Sequence, residues 1–141
     1  MDEQQREEKI RRWFEMWLIQ KDLEMENIFD PQLHYIESWG PEYHGLPVLQ
    51  HWFWEWNAWG KVLAWEIRQF FHRENQTVVE WYFHSQMKDG SEDEFDGVSL
   101  IEWTKEGKIR VLKEFGCNRS RYSPYENGSK PVFRDEKVLW F

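Results

Sequence analysis

The chain has 141 residues, 40% of them apolar and 31% charged, with a formal net charge of -8. This length suits one domain with one core. A mean hydropathy of -0.86 and the lack of a long apolar run argue against a membrane protein, and the acidic balance disfavours nucleic acid, whose phosphates need a basic stripe.

Eleven Trp, ten Phe and five Tyr are the compositional anomaly. Aromatics at this density fill a core, wall a pocket or anchor an interface. The single cysteine, Cys117, forbids an internal disulfide and fits a reducing compartment. The start, MDEQQREEKIRRW, is charged and lacks an apolar signal-like run, so a cytoplasmic location is expected.

Residues 3–20 are predicted helical. Ile10, Trp13, Phe14, Trp17 and Leu18 recur at three- and four-residue spacing and form one apolar stripe. Asp22 is placed to cap a second, short helix through about Phe29, and Asp30-Pro31 is expected to end it. Residues 33–38 read as a short strand, followed by a turn at Trp39-Gly40-Pro41-Glu42 and a brief strand at Tyr43-His44-Gly45. Pro47 opens a third helix, about 47–58, which Gly60 stops. Trp52, Phe53, Trp54, Trp56 and Trp59 surround that helix, so both of its sides are expected to be covered.

Four strands then follow as an antiparallel meander: Val62–Phe71, Thr77–Met87, Glu94–Trp103 and Lys108–Cys117. The last two are joined at hairpin length by Thr104-Lys105-Glu106-Gly107. Residues 119–141 form a tail beyond a domain spanning 1–118. Its last residues, Val138-Leu139-Trp140-Phe141, are apolar, so it is expected to pack on its own domain or on a second subunit.

The fold class expected is α+β: a curved antiparallel sheet of about four long strands plus short ones, packed on three N-terminal helices. This order resembles the nuclear transport factor 2-like (cystatin-like) superfamily, and the SnoaL-like group in particular. The residues that carry the resemblance are YIES-WGPEYHG (Tyr35–Gly45), VVEWYF (Val78–Phe83), FDGVSLIEW (Phe95–Trp103) and GKIRVLKEF (Gly107–Phe115). It implies a cone with a polar site inside. It also implies that Glu37 stands where ketosteroid isomerases carry their proton-shuttling carboxylate. Ser99 stands where their second acid lies, and the first helix has no tyrosine donor, so isomerase activity of that kind is not expected. The Asp-Arg-Asp motif of limonene epoxide hydrolases is not visible either, although Arg68 and Asp96 are present.

Strand parity sorts the side chains. If Trp103 pairs with Lys108, then Ser99 faces Leu112 and Gly97 faces Glu114, and these four share one face. Gly97 would then leave room beside Glu114. The opposite face carries Asp96, Val98, Leu100, Val111, Lys113 and Phe115, and is expected to meet a second subunit. In the second meander strand Val79, Trp81 and Phe83 share one parity, and Glu80, Tyr82 and His84 the other. Parity alone leaves open which set faces inward.

The candidate catalytic residues are Glu37, Glu114 and Glu80, whose convergence would raise at least one pKa and prepare a general acid or base. The candidate ligand-binding residues are Tyr35, Trp17, Trp54, Trp56, Tyr82, Ser99 and Leu112. No cofactor is expected, and the five histidines show no metal-ligand spacing such as HExxH. The expected partners are a small molecule and a second copy of the chain, with neither nucleic acid nor membrane. The expected function is binding of a small, mostly apolar molecule, with carboxylate acid–base chemistry of the isomerase, lyase or cyclase type. The alternative is a non-enzymatic dimeric binding or interaction module.

Overall fold

A computed structural model describes residues 1–134. The first helix, α1 (Glu3–Ile19), begins at a capping box: Asp2 accepts from the Gln5 amide at 2.8 Å, and the Gln5 side chain accepts from the Asp2 amide at 3.0 Å. Its stripe of Ile10, Trp13, Phe14 and Trp17 is buried as the spacing implies, joined by Met16. Each such side chain contributes roughly 1.5–3 kcal/mol through burial. Leu18 lies off the stripe and stays exposed.

Of the three expected helices, the second is only a 3-10 turn, Met25–Asn27, with Asp22 accepting from the Met25 amide at 2.8 Å. Strand β1 (Phe29–Ile36) then runs straight through Asp30-Pro31, so that pair bounds no helix. Strand β2 (Glu42–His44) folds back on β1 with Tyr35 opposite Tyr43. Helix α2 (Leu46–Trp59) carries Pro47 in its first turn.

The meander consists of β3 (Gly60–Arg73), β4 (Gln76–Met87), β5 (Glu92–Trp103) and β6 (Ile109–Asn118). The sheet has six strands in the order β2-β1-β6-β5-β4-β3. It is mixed rather than purely antiparallel, because β1 pairs with β6 in parallel, setting Tyr35 beside Leu112. This pairing carries the β1–β2 hairpin to the open edge of the meander and sets Glu37, just past β1, beside the Glu114 end of β6. Among the described residues no helix is long and apolar enough to cross a membrane.

In the final hairpin, β5 and β6 keep the expected faces but not the expected register. Trp103 pairs with Ile109, Ser99 with Glu114 and Gly97 with Gly116. A bulge beside Trp103 leaves Arg110 without an opposite residue and shifts the ladder by two, which preserves parity. The inner face thus carries rows such as Phe70–Val79–Ser99–Glu114 and Ile67–Trp81–Gly97–Gly116.

The space at Gly97 is not free for a ligand. Trp81 lies over it, and a Cβ there would sit 2.5 Å from Trp81 Cη2 and 2.6 Å from the Phe115 carbonyl oxygen. Gly97→Ala is therefore expected to lower the unfolding free energy by roughly 1–3 kcal/mol. A urea titration checks this, and an unchanged midpoint would show that the indole yields freely.

The tail leaves β6 through two arginines. Arg119 and Arg121 both reach Asp96, at 2.8 and 2.9 Å, and Arg119 also reaches Glu94 at 3.1 Å. Asp96 is thus held on the outer face by its own tail. The expected packing of Val138–Phe141 lies outside the described residues.

Candidate functional site

A cavity of about 750 Å³, open to solvent, lies between the inner sheet face and the two helices. Both helices and three strands of the meander contribute aromatic walls: Trp17 from α1, Trp52 and Trp56 from α2, Trp65 from β3, Trp81 and Phe83 from β4, and Phe95 from β5. Trp17 is the hub on the helical side. It meets Trp56 edge-on at 5.3 Å between ring centroids and Phe53 at 4.9 Å. Trp65 has Trp81 and Phe83 edge-on at 5.7 and 5.5 Å. The indole N–H groups of Trp17 and Trp65 are buried and have no acceptor among the described residues.

Two carboxyls stand in this apolar enclosure, each held by a phenol. Tyr35 donates to Glu114 Oε2 at 2.9 Å, and Tyr43 donates to Glu37 Oε2 at 2.7 Å. The hairpin places the two phenols opposite each other across β1 and β2, with ring centroids 6.4 Å apart. Tyr43 is also stacked on Trp52, at 4.4 Å and 16°.

Burial pushes the Glu114 carboxyl up to about 8. The Tyr35 hydrogen bond opposes that shift, and the charge on Glu37 adds to it. Glu114 retains some contact with solvent through the cavity mouth, yet its carboxyl sits deep among protein atoms. Burial likewise raises Glu37, opposed by hydrogen bonding from Tyr43 and Trp39. The phenols respond in kind. Tyr35 is raised well above its ordinary value by burial and by Glu114, and Tyr43 by burial and by Glu37. Two coupled carboxyls with different affinities for a proton can hold one as acid and the other as base at one pH.

The structure thus brings together Glu37, Glu114, Tyr35, Trp17 and Trp56 from the sequence reading. It does not bring in the other candidates. Glu80 is on the outer face, where it accepts from Gln69 at 2.6 Å, because Val79, Trp81 and Phe83 take the inner parity of β4. Glu37, Glu80 and Glu114 therefore do not converge. Tyr82 shares the outer face and lies under Arg68 and Arg119, with guanidinium carbons 5.7 and 4.7 Å from its ring centroid. Trp54 is 71% exposed, because Leu49, Trp52, Phe53 and Trp56 form the inward stripe of α2 and leave it on the solvent side.

Ser99 and Leu112 are buried on the inner face but do not line the cavity. The Ser99 hydroxyl accepts from Trp81 Nε1 at 2.9 Å and so supports the floor. Arg68 and Asp96 both lie on the outer side of the sheet, where Arg68 meets Glu66 and Asp96 meets the tail arginines.

Sequence reasoning missed Tyr43, Trp52, Trp65, Trp81, Phe83 and Phe95 as wall residues. Tyr43 was findable, since a tight hairpin between Tyr35 and Tyr43 puts both on one face. The acidic rim Glu92, Asp93 and Glu94, and Cys117 beside it, were also not assigned to the cavity.

Outside the cavity, His34 and His44 face each other across the β1–β2 hairpin with rings stacked at 4.1 Å. Both present Nε2 to Glu42 Oε1, at 2.7 and 2.8 Å. These three side chains are a grouping able to hold a metal ion. It comes from strand pairing rather than sequence spacing, so a motif search does not detect it.

No curated protein matches the sequence. Solved structures of low identity share the fold. A candidate isomerase from Bacillus subtilis is 15% identical, with a TM-score of 0.71 over 83% of this chain and 90% of that one. A Catenulispora acidiphila protein with a ketosteroid isomerase-like fold, solved in complex with trimethylamine, is 14% identical, with a TM-score of 0.64 over 77% and 84%. A candidate SnoaL-like polyketide cyclase from Mesorhizobium loti is 18% identical, with a TM-score of 0.63 over 77% and 97%. The family model for the SnoaL-like domain matches residues 10–112. With that match spanning most of its length and the cavity of the fold in place, the chain belongs to the SnoaL-like domain family.

Proposed function

We propose that the protein binds a small, mostly apolar molecule in the aromatic cavity and moves a proton on it, without a cofactor, as an isomerase, lyase or cyclase does. One observation carries this reading: two carboxyls, each bonded to a phenol, stand inside an aromatic enclosure with both proton affinities raised. Glu37, the less perturbed, is the base. Glu114, pushed up to about 8, is the acid that remains neutral near pH 7. In such a step Glu37 takes a proton from a carbon beside a carbonyl. Glu114 donates to the carbonyl oxygen as charge develops there; Glu37 then returns its proton to carbon while Glu114 takes its own back from the enol oxygen.

Hydrogen–deuterium exchange tests this. Small apolar ketones and β-dicarbonyl compounds are incubated with the protein in D2O, and proton NMR follows loss of the α-hydrogen. Exchange by the native protein is expected to slow about 10²–10⁴-fold in Glu37→Gln. Compounds that bind yet never exchange would remove the enzymatic part.

A second reading, a non-enzymatic dimeric binding module, is favoured by the outer sheet face. Phe71 and Phe115 are 55% and 47% exposed there, next to Val78 and Val98 in the ladder. An apolar strip of this kind suits a second copy of the chain. Light scattering of the native protein and of Phe115→Glu measures it. A dimer that dissociates in the variant supports this reading, and a native monomer at micromolar concentration removes it.

A further inference from the structure

The cavity lining is one-sided in charge. Five carboxyl residues contribute to it, Glu37, Glu92, Asp93, Glu94 and Glu114, and among the described residues not one lysine, arginine or histidine does. Two of the five are balanced by groups outside the lining: Glu92 meets His84 at 2.8 Å, and Glu94 meets Arg119 at 3.1 Å. Glu37, Asp93 and Glu114 have no cationic partner among the described residues. The two deepest, Glu37 and Glu114, are hydrogen-bonded by neutral groups: Tyr35 on Glu114, and Tyr43 and Trp39 on Glu37.

A buried carboxylate without a counter-charge is costly. The protein by itself eases that cost by keeping a proton on Glu114 near pH 7. A positive ligand would meet it instead. The walls suit such a ligand, because the faces of tryptophan and tyrosine are the negative parts of their quadrupoles and attract cations. An anionic ligand would face Glu37, Asp93 and Glu114, which have no compensating base among the described residues. A neutral apolar one would fit the walls but leave the carboxyl pair unused as a charge.

We propose that the ligand carries a cationic nitrogen bearing apolar substituents, seated among the aromatic walls with its charge toward Glu37 and Glu114. Methylated and other substituted ammonium compounds are the class. The nitrogen's alkyl groups contact Trp and Tyr faces, the carboxyl pair supplies the counter-charge, and the acidic rim of Asp93 and its neighbours draws the cation to the mouth. This deepens the reading of the cavity as a ligand site. It does not depend on whether the protein catalyses a reaction.

The test uses a cation and its uncharged twin. Choline and 3,3-dimethyl-1-butanol have nearly the same shape, with nitrogen replaced by carbon. Each is titrated into the full chain by calorimetry at pH 7.5, in two buffers of different ionisation enthalpy, alongside cyclohexanone as a neutral apolar probe. Choline is expected to bind at least about tenfold more tightly than its twin. Its binding should release protons, as the ligand drives ionisation of Glu114, to which Tyr35 donates. Glu37→Gln with Glu114→Gln should abolish the preference for charge and the proton release, while a native circular dichroism spectrum and a cooperative thermal transition certify that the variant is folded. Equal or tighter binding of the twin overturns the cation proposal and leaves the apolar cavity reading standing. Failure of all three probes to bind overturns both.

Discussion

Trp81→Ala is expected to lower the unfolding free energy by about 3–5 kcal/mol, the range for removing a large aromatic from a close-packed interior. The indole is 2% exposed and lies across the sheet over Gly97. Its edges meet Trp65 at 5.7 Å and Phe95 at 5.6 Å, and its Nε1 donates to Ser99. Truncation therefore removes apolar burial, opens a void under the cavity and leaves a fully buried hydroxyl without its donor. That last effect costs about 1–3 kcal/mol by itself in a dry site. Trp81→Phe keeps one ring of apolar burial, loses the Ser99 bond and the part of the indole over Gly97, and should fall short of the alanine loss. Urea titration of both variants is the measurement. An alanine variant within about 1 kcal/mol of the native protein, by the same transfer-plus-cavity reasoning, would mean that Trp81 is not the floor.

That floor also shows where the sequence was and was not legible. The meander was readable because strand patterns of period two alternate with turn residues, and the β5–β6 loop closes on Gly107 at φ 79°. Parity placed Ser99, Gly97, Leu112 and Glu114 on one face, and a register error of two residues could not disturb it. Parity could not choose a face for β4, because both of its sets contain aromatics and polar atoms. The choice depends on which set meets Trp65 and Phe95 from other strands. Gly97 is a related case. The missing side chain marks a close approach, and only the fold reveals that the occupant is Trp81 rather than a ligand.

The site was half legible for the same reason. Glu37 and Glu114 were found separately, the first through a resemblance and the second through parity. Their meeting depends on β1 lying parallel to β6, a long-range pairing with no local turn to announce it. The same pairing brings Tyr35 to Glu114, 79 residues apart in the chain. Trp54 failed on helical geometry: with Trp59, it had to face solvent once the stripe through Trp52 and Trp56 faced Trp17, so α2 is not covered on both sides as expected.

The protein is expected to lose stability as pH rises from about 5 to about 8, and Glu114→Gln is expected to flatten most of that slope. Proton counting gives the sign. In the unfolded chain Glu114 ionises in the ordinary carboxylate range. In the fold its burial holds the proton up to about 8. Between those limits the native state binds more protons than the unfolded state, so raising the pH favours unfolding. Each tenfold gain in proton affinity on folding is worth about 1.4 kcal/mol, reduced here because the cavity admits solvent. Glu37 is raised in the same direction and adds to the decline. The lowered carboxyls of Glu42 and Asp89 work in the opposite sense, but at the acidic end, where stability is lost as pH falls. Glutamine keeps an oxygen for the Tyr35 hydroxyl and carries no charge at any pH, so above about pH 8 the variant should be more stable than the native protein. Thermal or urea unfolding across this range gives the slope. The infrared band of the neutral carboxylic acid gives the titration directly, and in Glu37→Gln it should disappear at lower pH because a neighbouring negative charge is gone. A native protein equally stable at pH 5 and 8, with no neutral acid visible at pH 7, would remove Glu114 as the acid of the pair. A steep decline that Glu114→Gln abolishes would identify a carboxyl kept at a cost in stability, as expected of a group whose proton the site uses.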